Sequence, residues 1–266
     1  MYSTLELEQR GQTAWLWMNR PDTHNAFNAT LIEELNAAFA KLNQTDKIRA
    51  IVLAGRGKSF SAGADLHWMR EQGKASIDEN REDAQKLGEM LLRLYKMDKP
   101  VVARVHGAAL GGGMGLAAAC SLCVASMSAV FATSEVRLGL APSAISPYVL
   151  RAIGARQAQR YFLTAERISA QRAYEIGLAH EIVDDARLDD RIGLILDALL
   201  RGGPSAQQVS MELIRDFAHV MPSRTVMLET SGRIAQLRAT AEAREGVSAF
   251  LEKRTPDWLP EHQRSS

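Results

Sequence analysis

The chain has 266 residues, of which 46% are hydrophobic and 24% charged, and its formal net charge is +1. This composition supports a large core and argues against disorder, and the balanced charge gives no reason to expect nucleic acid or an anionic membrane as a partner. The first residues lack the apolar segment of a signal peptide and the chain has two cysteines, so we expect a cytoplasmic protein.

Strands alternate with helices over the first 125 residues. Apolar or alternating composition predicts strands over 4–8, 13–18, 49–54, 101–105 and 122–125. Helical periodicity predicts helices over 29–42 with Asn28 as the cap, from about Asp65, over 78–97 and over 113–120. This order predicts an α/β core.

The pattern becomes helical after residue 150. Helices are predicted over 155–163, 170–176, 188–200, 206–219, 224–237 and 241–251. The Gly202-Gly203-Pro204 sequence marks a boundary, so we predict a core over residues 1–201 and a helical region over 202–266. A helical segment of about 60 residues could hardly bury its own core, and we expect it to pack on the core or on another subunit.

A long neutral segment is the first candidate for a functional site. Between Gly107 and Ser134 only Cys120 and Cys123 are ionisable, and the next acid is Glu135. The glycine run at 111–113 could leave backbone N–H groups free to hold a negative ligand oxygen. Glu135 could transfer a proton, or it could be a surface acid paired with Arg137. The neutral segment is too rich in glycine, serine and alanine for a membrane span.

Four other sequence features give weaker signals. The GRGKS sequence at 55–59 lacks the first glycine of a P-loop, because Val52 stands there, and the later glycine run lacks the third glycine of a dinucleotide fingerprint, because residue 116 is leucine. The two cysteines have no second Cys or His pair nearby to complete a zinc site, so buried thiols are expected. The six histidines show no metal-ligand spacing.

Three segments together resemble the enoyl-CoA hydratase/isomerase (crotonase) superfamily: SFSAGADL, GAALGGGMGLAAAC and FATSEVRLGLAPS, in this order and spacing. The resemblance runs from the N-terminal strands through NRPDTHNAFN to AFLEKR. It implies a spiral of ββα units with a C-terminal helical trimerisation region, and homotrimers that can pair into hexamers. It also implies an acyl-CoA substrate, and neither a metal nor a redox cofactor.

The resemblance implies roles for individual residues. The backbone N–H groups of Ala62 and Gly112 would bind the thioester carbonyl as it gains enolate character, and Glu135 would be the general acid/base. Coenzyme A would lie over the loops at 23–24 and 62–66, with its phosphates near Lys58. The residues expected to bind substrate or coenzyme A are Thr23, His24, Ala26, Lys58, Phe60, Gly63, Ala64, Asp65, Leu66, Gly111, Gly115, Ser134, Pro142 and Ser143.

One departure concerns the reaction type. Typical hydratases of the superfamily use two glutamates, and the first of these positions is Gly115 here. Enoyl-CoA isomerases of the superfamily use a single glutamate at the later position. The segment 140–170 looks like the methylglutaconyl-CoA hydratase branch of leucine and acyclic-terpene catabolism, where glycine at the first position is familiar.

We therefore predict a hydratase for a branched 2-enoyl-CoA, with 3-methylglutaconyl-CoA or isohexenylglutaconyl-CoA as the candidate substrates. One alternative is a Δ3-Δ2-enoyl-CoA isomerase that uses Glu135 alone. An alternative of another class is an RNA-binding or non-catalytic protein of the same fold. The balanced charge and the lack of a basic aromatic stripe argue against RNA binding, and the retained oxyanion-hole residues and acid argue against a non-catalytic protein.

Overall fold

The structure, a computed structural model, describes residues 2–259. Within these residues nine strands form a six-stranded and a three-stranded sheet. The six strands of the larger sheet, in spatial order, are β1 (Leu5–Arg10), β2 (Thr13–Met18), β3 (Ala50–Gly55), β4 (Val101–Val105), β6 (Leu122–Ser126) and β9 (Glu181–Val183). The smaller sheet has β5 (Ala108–Leu110), β7 (Val130–Ala132) and β8 (Ile168–Ser169).

The larger sheet is parallel except at its first pair. The tight turn at Gly11, whose φ is +58°, makes β1 and β2 antiparallel, with Leu5 opposite Met18. The other strands pair in parallel, with Thr13 opposite Ala50 and Ile51 opposite Val101. Every residue of β2 and β3 is buried, as expected for strands that are covered on both faces.

Ten α-helices accompany the strands in the described residues. They are α1 (Ala29–Asn43), α2 (Leu66–Gln72), α3 (Ile77–Tyr95), α4 (Gly112–Ala119), α5 (Ser146–Thr164), α6 (Ala170–Glu175), α7 (Leu188–Arg201), α8 (Pro204–Phe217), α9 (Arg224–Arg238) and α10 (Ala241–Leu251). The predicted cap is confirmed, because the Asn28 side chain accepts a hydrogen bond from the Leu31 N–H. Asp65 caps α2 in the same way.

Two cores cover the two faces of the larger sheet. Side chains alternate between the faces along each strand, so Leu16 and Leu53 join the core built with α1, α3, α4 and α5. Trp15 and Trp17 point to the opposite face, where α7 covers them with apolar side chains such as Ile192. The glycine run therefore begins a helix that is packed inside the first core.

The predicted spiral of ββα units is confirmed. The chain order β4-β5-α4 is followed by β6-β7-α5, and the second strand of each unit pairs in the smaller sheet. The short strands β5, β7, β8 and β9 have only two or three residues and were not predicted. Helix α5 begins at Ser146 rather than at the predicted residue 155. Gly154, whose φ is +72°, interrupts it, and the prediction included only the part after this glycine.

The last three helices lie mostly at the surface. No residue of α8 or α9 is buried, and Ala249 is the buried residue of α10. The domain boundary at 201/202 stays a prediction, and residues 260–266 of the predicted helical region lie outside the described part of the chain. No helix within residues 2–259 is both long and apolar enough to cross a membrane.

Candidate active site

A cavity of about 430 Å³ lies beside the start of α4. Its walls come from α2, α3, the 62–64 loop, the glycine run and the loop between Ser134 and Ile145. The cavity brings together the sequence-predicted residues Glu135, Gly112, Gly111, Ala62, Gly63, Ala64, Leu66, Ser134, Pro142 and Ser143. These residues come from segments that are more than 20 positions apart in the chain.

The first residue of α4 offers a free backbone donor. The Gly111 N–H donates to the Ala132 carbonyl over 2.8 Å, whereas the Gly112 N–H has no acceptor within residues 2–259. The N–H groups of a first helical turn have no partner inside the helix. A Cβ on Gly112 would lie 2.6 Å from Cδ2 of Phe27. Glycine is therefore required here because the Phe27 ring packs directly on the backbone.

The second donor is Ala64, which corrects the prediction of Ala62. The Ala62 N–H donates to the His24 carbonyl over 2.9 Å and is not available to a ligand. The two peptide groups that flank Ala64 are bonded to Phe27, through the Gly63 carbonyl at 2.6 Å and the Asp65 N–H at 2.8 Å. The Ala64 N–H itself has no acceptor in the described chain, and this exposed residue lines the cavity.

A buried polar network holds the loop that carries Ala64. Arg20 donates to the Ala26 carbonyl and forms an ion pair with Asp65 at 2.9 Å. The fully buried Asn25 side chain donates to the carbonyls of Arg56 and Ser59. Burial alone would raise the pKa of Asp65, but the hydrogen bonds from Arg20 and from the first N–H groups of α2 outweigh it and lower that pKa.

Glu135 lies directly against the glycine run. Its Oε1 is 3.1 Å from the position that a Cβ on Gly111 would occupy, and its Oε2 is buried with no hydrogen-bond partner in the described chain. It forms no ion pair with Arg137 or another described residue, so the surface-acid alternative is wrong. Burial raises the pKa of the Glu135 carboxyl, and a hydrogen bond from its own backbone N–H only partly opposes this.

Gly115, predicted as a binding residue, does not line the cavity. It is buried in α4, and a Cβ at this position would overlap Cγ2 of Ile145 and lie 2.7 Å from Ile145 Cβ. Ile145 lines the cavity instead. The space that a first glutamate would need is therefore filled by an apolar side chain from a distant loop.

Three other predicted binding residues have structural roles. Phe60 is 0% exposed in the core, Ala26 is buried with its carbonyl bonded to Arg20, and Asp65 caps α2. None of these three residues lines the cavity, and their contribution to binding coenzyme A stays a prediction. Thr23, His24 and Lys58 are exposed and do not line the cavity, and their contact with coenzyme A stays a prediction.

The sequence did not predict most of the other residues that line the cavity. The further apolar lining residues include Phe27, Trp68, Met69, Leu87, Leu138, Leu140 and Ile145. Gln72, Asn80 and Asp83 add polar groups, and the lining described contains no Lys, Arg or His. Helical periodicity could have indicated the inner face of α3, but nothing local indicates that the loop after Glu135 folds over it.

The cysteine pair has the predicted buried environment. Both thiols are free and buried, and burial raises the pKa of Cys123 to about 12. A thiol with so high a pKa is a poor nucleophile and metal ligand at neutral pH. Within residues 2–259 no group of three His, Cys, Asp or Glu side chains could hold a metal ion.

Comparison with known proteins agrees with this geometry. The model of the enoyl-CoA hydratase/isomerase family matches residues 8–261. Crotonyl-CoA hydratase of Syntrophomonas wolfei is 33% identical over 97% of this chain and 98% of its own length. A trans-2-decenoyl-acyl-carrier-protein isomerase of Streptococcus mutans is 30% identical over 91% of this chain and 93% of its own.

A solved structure gives the same result for the fold. The crystal structure of an enoyl-CoA hydratase from Shewanella pealeana superposes with a TM-score of 0.94, with 39% identity over 97% of each chain. The family match and these relatives extend over nearly the whole sequence. The chain therefore belongs to the enoyl-CoA hydratase/isomerase family.

Proposed function

We propose that the protein is an enoyl-CoA hydratase that adds water across the α,β double bond of a branched 2-enoyl-CoA. The observation that carries this proposal is the convergence of two unpartnered N–H groups, on Ala64 and Gly112, with the buried carboxylate of Glu135 in one cavity. Two donors and one proton carrier are the groups that addition to a conjugated thioester requires.

In this proposal the two N–H groups hold the thioester carbonyl oxygen. Water bonds to the β-carbon through its oxygen, the Glu135 carboxylate takes one water proton, and the electron pair of the double bond moves toward the carbonyl. The enolate oxygen is stabilised by both donors, each worth about 2.7–4 kcal/mol in comparable oxyanion sites. Glu135 then gives its proton to the α-carbon, so the product is a 3-hydroxyacyl-CoA.

The raised pKa of Glu135 suits both steps. A group that must first accept and then donate a proton works best when its pKa lies near the operating pH. Burial of Glu135 moves its pKa in that direction from the ordinary 4.5. With Gly115 in place of a first glutamate, Glu135 carries both proton transfers.

The candidate substrates are 3-methylglutaconyl-CoA and isohexenylglutaconyl-CoA. Their support is the resemblance of segment 140–170 and the glycine at position 115. Both acyl groups carry a second carboxylate, and the described lining contains Asp83 but no cationic side chain. A neutral branched ester, 3-methylcrotonyl-CoA, is therefore the essential comparison.

The testing experiment offers purified protein 3-methylglutaconyl-CoA, 3-methylcrotonyl-CoA, crotonyl-CoA and a 3-enoyl-CoA separately, and reads the products by mass. A gain of one water, fastest on a branched ester, supports the proposal. Equal or faster hydration of crotonyl-CoA would contradict the proposal that the substrate is a branched ester. No gain of water on any ester would overturn the hydratase.

An isomerase is the second candidate, favoured by the single acid. Ile145 excludes a second glutamate from position 115, and moving a double bond needs one group that removes and returns a proton. The relative from Streptococcus mutans carries the name of an isomerase. An unchanged mass with a shifted double bond in the 3-enoyl-CoA arm would establish this alternative.

We also infer a homotrimer or a hexamer formed through the C-terminal helices, in the cytoplasm. Large apolar side chains are exposed in this region, including Met221 in the loop between α8 and α9 and Phe250 in α10, each 82% exposed. Exposed apolar side chains that cluster on one face mark interaction surfaces. Light scattering coupled to size exclusion tests this, because a monomeric mass at micromolar concentration would contradict it.

A further inference from the structure

We propose that Ile145 is a specificity-determining residue that forms an apolar wall for a substituent on the β-carbon of the acyl group. The inference rests on the proposed function in one respect: it places the thioester carbonyl between the N–H groups of Ala64 and Gly112. Three features of the structure carry it.

The first feature is the position of residue 115 relative to the carbonyl site. Gly112 and Gly115 are three residues apart in α4, which places them on neighbouring positions of one helix face. The rise between them along the axis is about 4.5 Å. The β-carbon is two bonds from the carbonyl carbon, so an acyl chain that follows this face passes the region above Gly115.

The second feature is that Ile145 occupies this region. A Cβ on Gly115 would overlap the Ile145 side chain, so the two residues are in direct contact. Ile145 is 2% exposed, yet it is part of the cavity wall. The surface presented to an acyl group here is therefore an aliphatic side chain rather than helix backbone.

The third feature is that the wall is fixed in place. Ile145 precedes α5, and its carbonyl accepts hydrogen bonds from the N–H groups of Tyr148 and Val149, both at 3.1 Å. A β-branched side chain also has few rotamers. The position of the wall is therefore set by the first turn of α5 rather than by a mobile loop.

An apolar wall changes which acyl groups bind well. A carboxylate at this place would disfavour a methyl or alkyl branch, because the branch would remove water from a charge. Ile145 instead contacts such a branch favourably. One additional methyl or methylene in an apolar pocket changes discrimination by about 10–200-fold. We therefore expect a preference for β-branched over unbranched acyl groups that depends on Ile145.

The experiment measures the affinities of isovaleryl-CoA and butyryl-CoA by calorimetry for the wild-type protein, Ile145→Ala and Ile145→Val. These saturated esters differ by one β-methyl group and need no turnover. Ile153→Ala is the matched control, because Ile153 lies in α5 and in the core but not in the cavity wall. The same variants are assayed for kcat/KM on 3-methylcrotonyl-CoA and crotonyl-CoA.

We expect the wild-type preference for the β-methyl ester to fall about tenfold in Ile145→Ala, less in Ile145→Val, and not in Ile153→Ala. A ratio within twofold of wild type in both Ile145 variants would overturn the inference, as would an equal change in the control. If Ile145→Ala does not fold, Ile145→Val decides. If no ester reacts but the Ile145-dependent binding preference is observed, the proposed hydratase activity is wrong and the role of Ile145 in binding still holds.

Discussion

Glu135→Gln separates a catalytic carboxylate from a structural one, because the amide keeps the shape of the side chain and cannot carry the proton. General acid–base groups contribute about 10²–10⁴-fold to rate. Asp83 is the other acid of the cavity wall, but Glu135 is the one that lies against Gly111. With both proton transfers assigned to one residue, we expect a loss near the upper end, about 10⁴-fold or roughly 5.4 kcal/mol in the barrier.

The same substitution has a predictable effect on stability. Burial raises the pKa of Glu135 above its ordinary value of 4.5, so the folded state holds this proton more tightly than the unfolded chain does. The wild-type protein therefore loses stability as pH rises from about 4.5 through the raised pKa. Glu135→Gln lacks this loss, and we expect it to be at least as stable as wild type at neutral pH, with the difference closing below about pH 4.

The pH profile of the wild-type enzyme provides a further check. In the hydration direction Glu135 acts first as a carboxylate, so kcat/KM should fall as pH is lowered through its raised pKa. The midpoint of this acid limb should lie above the ordinary carboxyl value of 4.5.

The assay compares initial rates on the preferred ester, thermal unfolding across pH, and the affinity for butyryl-CoA. Asp83→Asn is the matched control and should retain most of the activity. A Glu135→Gln rate within tenfold of wild type would refute the role of Glu135 in proton transfer. Loss of ester binding and of thermal stability together would show instead that the carboxylate is needed for folding.

Three other substitutions test parts of the site. Gly112→Ala forces a Cβ against Phe27 and should lower stability by about 1–3 kcal/mol; an unchanged Tm would contradict the contact. Arg20→Met leaves Asp65 buried without its cation and should cost about 3–5 kcal/mol in denaturant unfolding, whereas a loss below 1 kcal/mol would show that the ion pair does not hold the loop. Lys58→Ala should raise KM for a CoA ester several-fold but leave KM for the matching pantetheine thioester unchanged, since that substrate lacks the distal phosphates; equal effects on both would remove Lys58 from the coenzyme A site.

Local sequence patterns were sufficient for most of the long elements of this protein, although they missed the first half of α5. The apolar runs that form β2 and β3 are buried on both faces, and such runs indicate buried strands without knowledge of their neighbours. Asn28 and Asp65 cap helices because their side chains reach N–H groups two or three residues away. Glu135 could be singled out because a long neutral segment precedes it.

Contacts between segments that are distant in the sequence determined the short strands and the free N–H groups of the site. The strands β5 and β7 are too short to have a pattern of their own and exist because they pair with each other. The motif around residues 61–65 was recognisable, but which of its N–H groups is free depends on the His24 carbonyl, which binds the Ala62 N–H and leaves Ala64 available.

Position 115 also shows what the sequence alone determines and what depends on the tertiary structure. The sequence by itself determined that no side chain stands at the first acid position, since that needs only the identity of one residue. Only the tertiary structure decided what replaces it, because Ile145 comes from a loop 30 positions later that folds back over α4. The hydrogen bonds of helix caps and turns join residues that are close in the sequence, so they can be predicted from the sequence alone. The wall of the cavity is formed by side chains whose proximity depends on how the whole core packs.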